Sequence, residues 1–466
     1  METEKAALKR SLSSLQIELI SLGAIIGSSY FLGLGALMAE NGILTIFAFL
    51  LGGLIVWLVA MAIGELAVGM PREGSFVSQS RELMGRPWSA GIGWSYWFNW
   101  CAYIPSEMVA GGMILHVFFP SVPIMFFAVC FGIIITGISL LNVKNFSHIE
   151  SVLAVLKIVA MIGFAVIAVL VCVGLAGGSV SHAGGLLSSN RNLNFPSGTF
   201  GFLVTMVLVL INFQGAELVA LSAAESKHPE KSVPRAARNV AFQTIALYVI
   251  PLTLLMLIFP WTDAKVEQSV FVEALTRNGF TKFAVAFQVM IVFAALNCSN
   301  SGLYGAVRSL YGLGKEGLAP RWTTLLNAQG VPVRATWLTL AVSWCFLPLY
   351  VFFQGSTFYV WLLSVSGFTG AICWTAISWC QIRLRREMNK NGKSASSLAF
   401  HMPGYPYLSY LSFGLQAMCL LLVALHPTLR TSLILGVPAF ALPAMICWLM
   451  DRRNVAYSQS DRSAQT

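Results

Sequence analysis

The chain has 466 residues, of which 57% are hydrophobic and only 10% are charged, and its mean hydropathy is +0.74. A soluble globular domain carries roughly 25% charged residues, so this composition excludes a water-soluble protein built from several domains. The net charge of +10 is spread over short loops between apolar runs. That distribution argues against a nucleic-acid-binding surface and is typical of topology signals in a membrane protein.

Apolar runs that could cross a bilayer follow one another along the whole chain. A membrane helix needs about 20 apolar residues. The runs that qualify are 17–38, 43–69, 89–118, 122–141, 150–175, 200–224, 239–260, 280–309, 335–353, 358–382, 407–426 and 430–450. The sequence therefore predicts an all-α polytopic membrane protein with 12 transmembrane helices.

The positions of lysine and arginine predict the orientation of the chain. Most of the 29 Lys and Arg residues fall in alternate segments between the spans, and segments rich in these residues stay in the cytoplasm. We therefore expect a multi-pass protein of the bacterial cytoplasmic (inner) membrane with both termini cytoplasmic. The N-terminal segment lacks the apolar core of a signal peptide, so we expect the first span to remain in the mature protein.

Cysteine and histidine give no sign of a metal centre or a catalytic group. Most of the 9 cysteines lie inside apolar runs without a CxxC pair, and the 6 histidines are scattered near loops and span ends. Neither spacing is that of a zinc site or a disulfide framework, and no nucleophile motif accompanies them. We expect no metal, no cofactor and no enzymatic activity.

The first and sixth predicted spans carry glycine and polar residues at their centres. Transporters built from inverted repeats bind substrate where two corresponding helices are interrupted near the middle of the membrane. The amide groups of Gly27, Ser28 and Ser29 would then suit a carboxylate, because they begin a helix. Carbonyl groups of the sixth span would accept hydrogen bonds from an ammonium group. The alternative is that the glycines only allow close helix packing.

This interpretation predicts a receptor for the backbone of an α-amino acid. The substrate side chain would lie among the third, sixth, eighth and tenth spans. The candidate substrate-binding residues are Ala24, Gly27, Ser28, Ser29, Glu107, Asn212, Phe213, Gln214 and Gly215.

Ionisable residues inside the predicted spans need an explanation, because a charge at the bilayer centre costs at least about 2.5 kcal/mol. Lys157 lies in the fifth span and is a candidate carrier of a coupling proton, because removal from water disfavours the charged form of an amine. The alternative is a lysine that extends back to the cytoplasmic surface.

Some glutamates in or near the spans also need an explanation. Glu107 follows a proline in the third span and could carry a proton, face a cationic substrate group or pair with a helix cap. Glu217 follows the sixth-span glycine and could belong to a cytoplasmic gate, accept a hydrogen bond from the first span or be purely structural. For Glu65 and Glu225, a position near the cytoplasmic ends of spans suffices as an explanation.

Several motifs occur in order along residues 15 to 335. They are IELISLGAIIGSSYFLG, GELAVGMPREGSFV, GWSYWFNW followed by PSEMVAGG, NVKNF followed by Glu150 and Lys157, GAELVALSAAESKHPEKSVPRA, and LNCSNSGLYGAVRSLYGLGKEGLAP. Through these motifs the chain resembles the amino acid transporter family of the amino acid–polyamine–organocation superfamily.

The resemblance implies a five-plus-five inverted repeat with two added helices that works by alternating access. It implies a single membrane transport domain over residues 1–466, with repeat 1 at about 15–175, repeat 2 at about 198–385 and the extra helices at about 405–450.

The resemblance also implies roles for individual residues. Lys157 matches a lysine that replaces the sodium ion of related transporters, so its amine would lie near carbonyl groups around Gly23 and a hydroxyl of Ser299 or Ser301. These four residues are the candidates for proton coupling, and Glu217 is the candidate for a gate.

Two positions depart from the family pattern. Residues 27–29 read Gly-Ser-Ser where family members usually have Gly-Ser-Gly or Gly-Thr-Gly, and the side chain of Ser29 is expected to narrow the carboxylate site. Ile211 stands where arginine/agmatine exchangers carry a gating tryptophan, which disfavours exchange.

The expected function is therefore proton-coupled uptake of an amino acid. An amino acid exchanger is the first alternative, and a sensor that binds an amino acid without transporting it is the second; the short tails disfavour a sensor. The expected partners are the amino acid, protons and the lipid bilayer, with no nucleic acid, while the substrate and the oligomeric state stay open.

Overall fold

The computed structural model describes residues 12–71, 75–141, 143–176, 198–226, 228–264, 269–327, 330–352, 356–425 and 429–463. Within these ranges the regular structure is helical, apart from one isolated β-bridge between Leu12 and Ser226. The prediction of an all-α protein is confirmed for this part of the chain.

The α-helices of the described residues are labelled here in chain order. They are α1 (Ser14–Ile25), α2 (Ser28–Asn41), α3 (Leu44–Gly69), α4 (Ser75–Met84), α5 (Arg86–Phe118), α6 (Ile124–Ser139), α7 (Val143–Cys172), α8 (Gly198–Ile211), α9 (Leu218–Leu221), α10 (Pro229–Ile258), α11 (Val270–Arg277), α12 (Thr281–Lys315), α13 (Val333–Phe346), α14 (Ser356–Lys390), α15 (Tyr407–Leu425) and α16 (Leu433–Ser463).

Many of these helices are long enough to cross a membrane. Among the described residues, 8 helices pass on length and apolar composition, namely α3, α5, α7, α10, α12, α14, α15 and α16. The pair α1 and α2 makes up to 9, because together they pass and are bent by 43° at a short break. The chain is thus a multi-pass membrane protein, whereas the count of 12 spans and the inverted repeat stay predictions.

Two short helices interrupt the predicted pattern of spans and loops. The helix α4 follows α3, and α11 precedes α12. In α11 the side chains of Val270, Phe271, Ala274 and Leu275 are buried, and Arg277 pairs with Glu273 one turn away. A helix of this length is too short to cross a membrane. A hydropathy pattern that identifies spans therefore does not distinguish it from a loop.

The long helix α5 lies at the centre of the fold. It packs most extensively against α12 and α14, and it also contacts α16 and α6. Glycine makes the closest of these approaches possible, because the ring of Trp100 on α5 lies where a Cβ atom on Gly302 of α12 would be. The functional side chains of α5 are therefore surrounded by other helices.

Two glutamates expected near the membrane surface are instead fully buried in ion pairs. Glu65 on α3 pairs with Arg385 on α14, and Glu225 pairs with Arg308 on α12. The hydroxyl of Tyr304 also donates to Glu225, at 2.6 Å. Position near a span end is thus an insufficient explanation, because each carboxylate has a specific arginine partner that lies far away in the sequence.

The Glu65–Arg385 pair gives a direct test of this packing. We expect Glu65→Met to lower the stability of the purified protein by about 3–5 kcal/mol, because it leaves the buried charge of Arg385 without its carboxylate partner. Glu65→Met combined with Arg385→Met should recover most of the loss. Thermal unfolding, followed by tryptophan fluorescence, measures the stability of the single and the double variant. The control is Glu387→Met, because Glu387 is exposed and lies on α14, the helix that carries Arg385. Equal melting temperatures for the single and control variants would contradict the expectation.

Candidate functional site

The first candidate feature is the break between α1 and α2. The helix α1 begins with a capping box formed by Ser13 and Gln16 and ends at Ile25. Ile26 (φ −86°, ψ 82°) and Gly27 (φ −98°, ψ −167°) are not helical, and α2 begins at Ser28. The break lies in the glycine–serine segment that the sequence indicated, and it leaves the first amide groups of α2 without helical partners.

A carboxylate of the protein itself occupies the start of α2. The backbone amide of Ser28 donates to both Glu107 oxygens, each at 3.0 Å, and Glu107 is fully buried on α5. A negative group is stabilised there by the positive end of the helix dipole. Of the three roles considered for Glu107, the geometry matches a helix cap, and this cap sits where a substrate carboxylate was expected.

Hydroxyl and thiol groups surround the same break. Ser28 Oγ lies 3.1 Å from Tyr359 Oη, and Ser29 Oγ lies 3.3 Å from Tyr103 Oη. The thiol of Cys298 donates to the Ala24 carbonyl at 2.7 Å. The aromatic residues could not be ranked from the sequence, so both tyrosines were missed as members of this site.

The second candidate feature is the break between α8 and α9. The helix α8 ends at Ile211, residues 212–217 form turns, and α9 begins at Leu218. Gly215 has φ +112°, a conformation that side chains rarely adopt. The side-chain Nε2 atom of Gln214 donates to the Gly367 carbonyl at 3.3 Å. The Oδ1 atom of Asn212 is buried with no partner in the described part of the chain.

The two breaks lie against each other. A Cβ atom on Gly215 would come within 2.8 Å of the Cβ of Ala24 and 2.9 Å of the Ile25 amide nitrogen. The hydroxyl of Tyr248 on α10 lies 2.9 Å from the Ile25 carbonyl oxygen and 2.7 Å from that of Asn212. One tyrosine proton is therefore shared between the two breaks, and Tyr248 holds them together.

Lys157 contacts the first break directly. Its Nζ atom donates to the carbonyl oxygens of Gly23 and Ile26, both at 2.8 Å, and the side chain has no exposed surface. These carbonyls lie at the C-terminal end of α1, where the helix dipole favours a cation. The amine thus lies in the protein interior and does not extend to a surface.

The two serines proposed beside Lys157 do not hydrogen-bond to its amine in the described structure. The Ser301 hydroxyl donates to Glu150 Oε2, which also accepts from Asn297 Nδ2 at 2.5 Å. The Ser299 hydroxyl has no hydrogen-bond partner among the described residues. Glu150 is therefore a buried acid that the list of candidate residues omitted. The signal was present, because Glu150 precedes Lys157 by seven residues and so lies on the same face of α7.

Glu217 stabilises the second break. Its carboxylate accepts hydrogen bonds from the Gly215 amide at 3.0 Å, the Tyr96 hydroxyl at 3.0 Å and the Trp374 indole at 2.8 Å. These donors belong to the break itself, to α5 and to α14. The predicted alternative of a hydrogen bond from the first span is not among the contacts of Glu217 in the described structure.

Phe213 and Ile211 complete the surroundings of the second break. Phe213 is fully buried, with its ring 5.1 Å from that of Tyr248 and 5.9 Å from that of Phe49. Ile211 lies against Gly367 of α14, where an added Cβ atom would meet its Cδ1 at 2.7 Å. Within the described ranges, no group of three or more His, Cys, Asp or Glu side chains could hold a metal ion.

The comparison with known families agrees with this architecture. The family model described as amino acid permease matches residues 16–457. The chain belongs to the amino acid permease family. Membership confirms the family resemblance found in the sequence, and it makes the protein a transporter rather than an enzyme.

Relatives with similar sequences cover most of the permease. It is 35% identical over 442 residues to the amino-acid permease RocC of Bacillus subtilis, covering 94% of each chain. It is 30% identical to the lysine-specific permease LysP of Escherichia coli, covering 87% of this chain and 84% of the relative. It is 29% identical to the γ-aminobutyric acid permease of Bacillus subtilis, covering 91% and 89%.

Contact between the two breaks can be tested at Gly215. We expect Gly215→Ala to destabilise the permease by about 1–3 kcal/mol, because the added methyl group meets Ala24 and the backbone has positive φ. Gly33→Ala is the matched control, since nothing lies within 4 Å of a Cβ atom at Gly33 in α2. The measurement is the apparent melting temperature in detergent. A Gly215→Ala protein as stable as the control would show that the breaks do not need this contact.

Proposed function

We propose that this permease carries an amino acid into the cell together with a proton, by alternating access across the bacterial cytoplasmic membrane. The observation that carries the proposal is the meeting of two interrupted helices whose free backbone groups are held by buried ionisable side chains. The proposal includes twelve spans, an inverted repeat formed by residues 15–175 and 198–385, and cytoplasmic termini. The relatives named for lysine and γ-aminobutyric acid support an amine-bearing carboxylate as substrate.

The substrate carboxylate would bind at the start of α2. The amides there already bind a carboxylate of the protein, that of Glu107, at 3.0 Å. Two ionised carboxylates about 4 Å apart repel by roughly 4 kcal/mol at an effective dielectric constant of 20. A substrate can therefore replace Glu107 most readily when Glu107 takes up a proton or swings away. Binding of the substrate would thus favour binding of a proton.

The substrate ammonium group would bind at the second break. The buried Oδ1 of Asn212 has no partner in the described part of the chain, and an unpaired buried acceptor is costly. A cation that donates to this atom would remove the cost. The carbonyl groups of residues 212–217 would supply further acceptors, because the turn between α8 and α9 lacks regular helical hydrogen bonds.

Lys157 would link the proton to the movement of α1. While the amine is charged, it holds the carbonyls of Gly23 and Ile26 and so fixes the end of α1 against α7. A neutral amine is a weaker hydrogen-bond donor than a charged one. Loss of the proton would therefore release the end of α1 and allow the break to open towards the cytoplasm.

The overall proposal is tested by transport in reconstituted vesicles. A thermal-shift screen of the purified protein against the common amino acids first identifies the substrate. Uptake of that labelled amino acid into proteoliposomes should then rise when an inward proton gradient is imposed. An uptake rate that does not change with the gradient would show that transport is not coupled to protons. Uptake that requires internal substrate would show an exchanger.

For Lys157, we expect Lys157→Ala to reduce gradient-driven uptake by about tenfold or more, in the range of typical coupling energies. The reason is that the carbonyls of Gly23 and Ile26 lose their donor. Lys282→Ala, an exposed lysine at the start of α12, serves as the control and should transport normally. Uptake by Lys157→Ala that keeps its full rate and its response to the gradient would rule out this role.

For Glu107, we expect Glu107→Gln to remove most of the pH dependence of substrate binding. In the unmodified protein, affinity should rise as the pH is lowered, by at most about tenfold per pH unit for one bound proton, because protonation of Glu107 removes the repulsion between the two carboxylates. Glutamine is neutral at every pH, so the substrate affinity of the Glu107→Gln variant should not change with pH. Glu217→Gln, whose carboxylate caps the other break, should keep the pH dependence. Isothermal titration with the identified amino acid measures all three proteins, and equal slopes for Glu107→Gln and the unmodified protein would reject the displacement step.

A further inference from the structure

A second binding site is suggested by a groove on the outside of the bundle. A groove of about 550 Å³ lies between α5, α14, α15 and α16 near the end of α4. None of the residues of the two helix breaks lines it. Its walls are mainly apolar and aromatic side chains, and Arg383 contributes a charge. The groove is therefore separate from the proposed substrate site.

One wall of the groove is a straight stripe along α14. Ile372, Ala376, Trp379 and Arg383 all line it, and their spacing of three and four residues puts them on one helix face. At 1.5 Å per residue the stripe is about 16 Å long. Half of a hydrocarbon core of about 30 Å is about 15 Å. The stripe thus has the length of one lipid leaflet, with its charged residue at one end.

The basic residues at the charged end of the groove keep donor groups that no described side chain uses. Arg383 is exposed and has no hydrogen-bond or ion-pair partner within the part of the chain that the structure describes. Arg86 begins α5 two residues before Trp88, which lines the groove, and its Nε atom is buried without a partner there. The Arg86 Nη1 atom reaches Asp451 only at 3.4 Å. Arginine binds phosphate oxygens with two parallel donors.

Aromatic residues place this end of the groove at the level of lipid headgroups. Trp88 is 54% exposed and its ring lies 5.8 Å from that of Phe440 across the groove. Trp379 lies 5.0 Å from Phe413 and carries Arg386 over its face at 5.7 Å. Tryptophan concentrates at membrane interfaces, and arginine beside it faces the headgroups.

We propose that this groove binds one anionic glycerophospholipid, with an acyl chain along the α14 stripe and the phosphate at Arg383. An acyl chain fits the apolar wall, and the phosphate supplies the negative charge that Arg383 lacks. A zwitterionic lipid fits less well, because its own cation would lie near Arg383 and Arg86. The distribution of basic residues predicts that this end faces the cytoplasm, where anionic lipids attract basic side chains.

Native mass spectrometry of the full-length protein tests the proposal. The protein is purified in detergent, stripped of lipid and titrated with phosphatidylglycerol or phosphatidylcholine of identical acyl chains. We expect bound phosphatidylglycerol to exceed bound phosphatidylcholine, and Arg383→Ala to weaken phosphatidylglycerol binding by about fivefold, the effect of one basic residue near an anionic surface. Arg321→Ala, an exposed arginine after α12, should bind as the unmodified protein does.

A second variant tests the acyl-chain part of the site. Ala376→Phe fills the stripe without changing any charge, and it should reduce phosphatidylglycerol binding to the level of Arg383→Ala. Thermal unfolding tests whether both variants fold. If Ala376→Phe does not fold, the result for Arg383→Ala alone decides the proposal. Soluble glycerol 3-phosphate at the same concentration should not displace the lipid.

Several results would overturn the proposal. Equal binding of the two lipids, or equal phosphatidylglycerol binding by Arg383→Ala and Arg321→Ala, would show that the groove selects no anionic lipid. Displacement by glycerol 3-phosphate would indicate a site for a free phosphate. A dimer of the unmodified protein that Ala376→Phe converts to monomer would show that a second copy fills the groove instead.

Discussion

Everything at the candidate site depends on one constraint, the need to give hydrogen-bond partners to backbone groups that two helix breaks expose inside a membrane. The bilayer core holds no water that could serve as partner, so other helices must supply them. Glu107 of α5 takes the amide of Ser28, Lys157 of α7 takes the carbonyls of Gly23 and Ile26, and Tyr248 of α10 bridges both breaks. The breaks are stable because the surrounding helices supply hydrogen-bond partners for the exposed backbone groups.

Two of these partners, Glu107 and Lys157, are ionisable, and their positions give the site its chemistry. A carboxylate stands at the positive end of α2 and an amine at the negative end of α1, so each charge matches the helix dipole beside it. In the proposed function, the substrate carboxylate would take the place of Glu107 at the start of α2, and the substrate ammonium group would bind at the second break. Replacement of the Glu107 carboxylate by a substrate would then link binding to movement of α5, the helix that carries it.

The sequence predicted the helical class, the two breaks and the buried lysine, because composition and mid-span glycine are local signals. It did not predict Tyr103, Tyr248 or Tyr359, since their roles arise only when distant helices meet; Tyr248 lies 223 residues from Ile25. For the same reason the sequence indicated only a position near a span end for Glu65. Its partner Arg385 lies 320 residues away. Glu150 was the one omission that helical spacing could have corrected.

The serine at position 29 shows how the chain adapts the family pattern. Its hydroxyl lies 3.3 Å from that of Tyr103, and Tyr103 belongs to α5, the helix that also carries Glu107. The extra side chain therefore faces α5 and adds a contact between α5 and the start of α2. Because Glu107 and Tyr103 are one helical turn apart, a substrate that displaced the carboxylate, as in the proposed function, would also disturb the Ser29 contact. Opening of the carboxylate site would then depend on movement of α5 relative to α2.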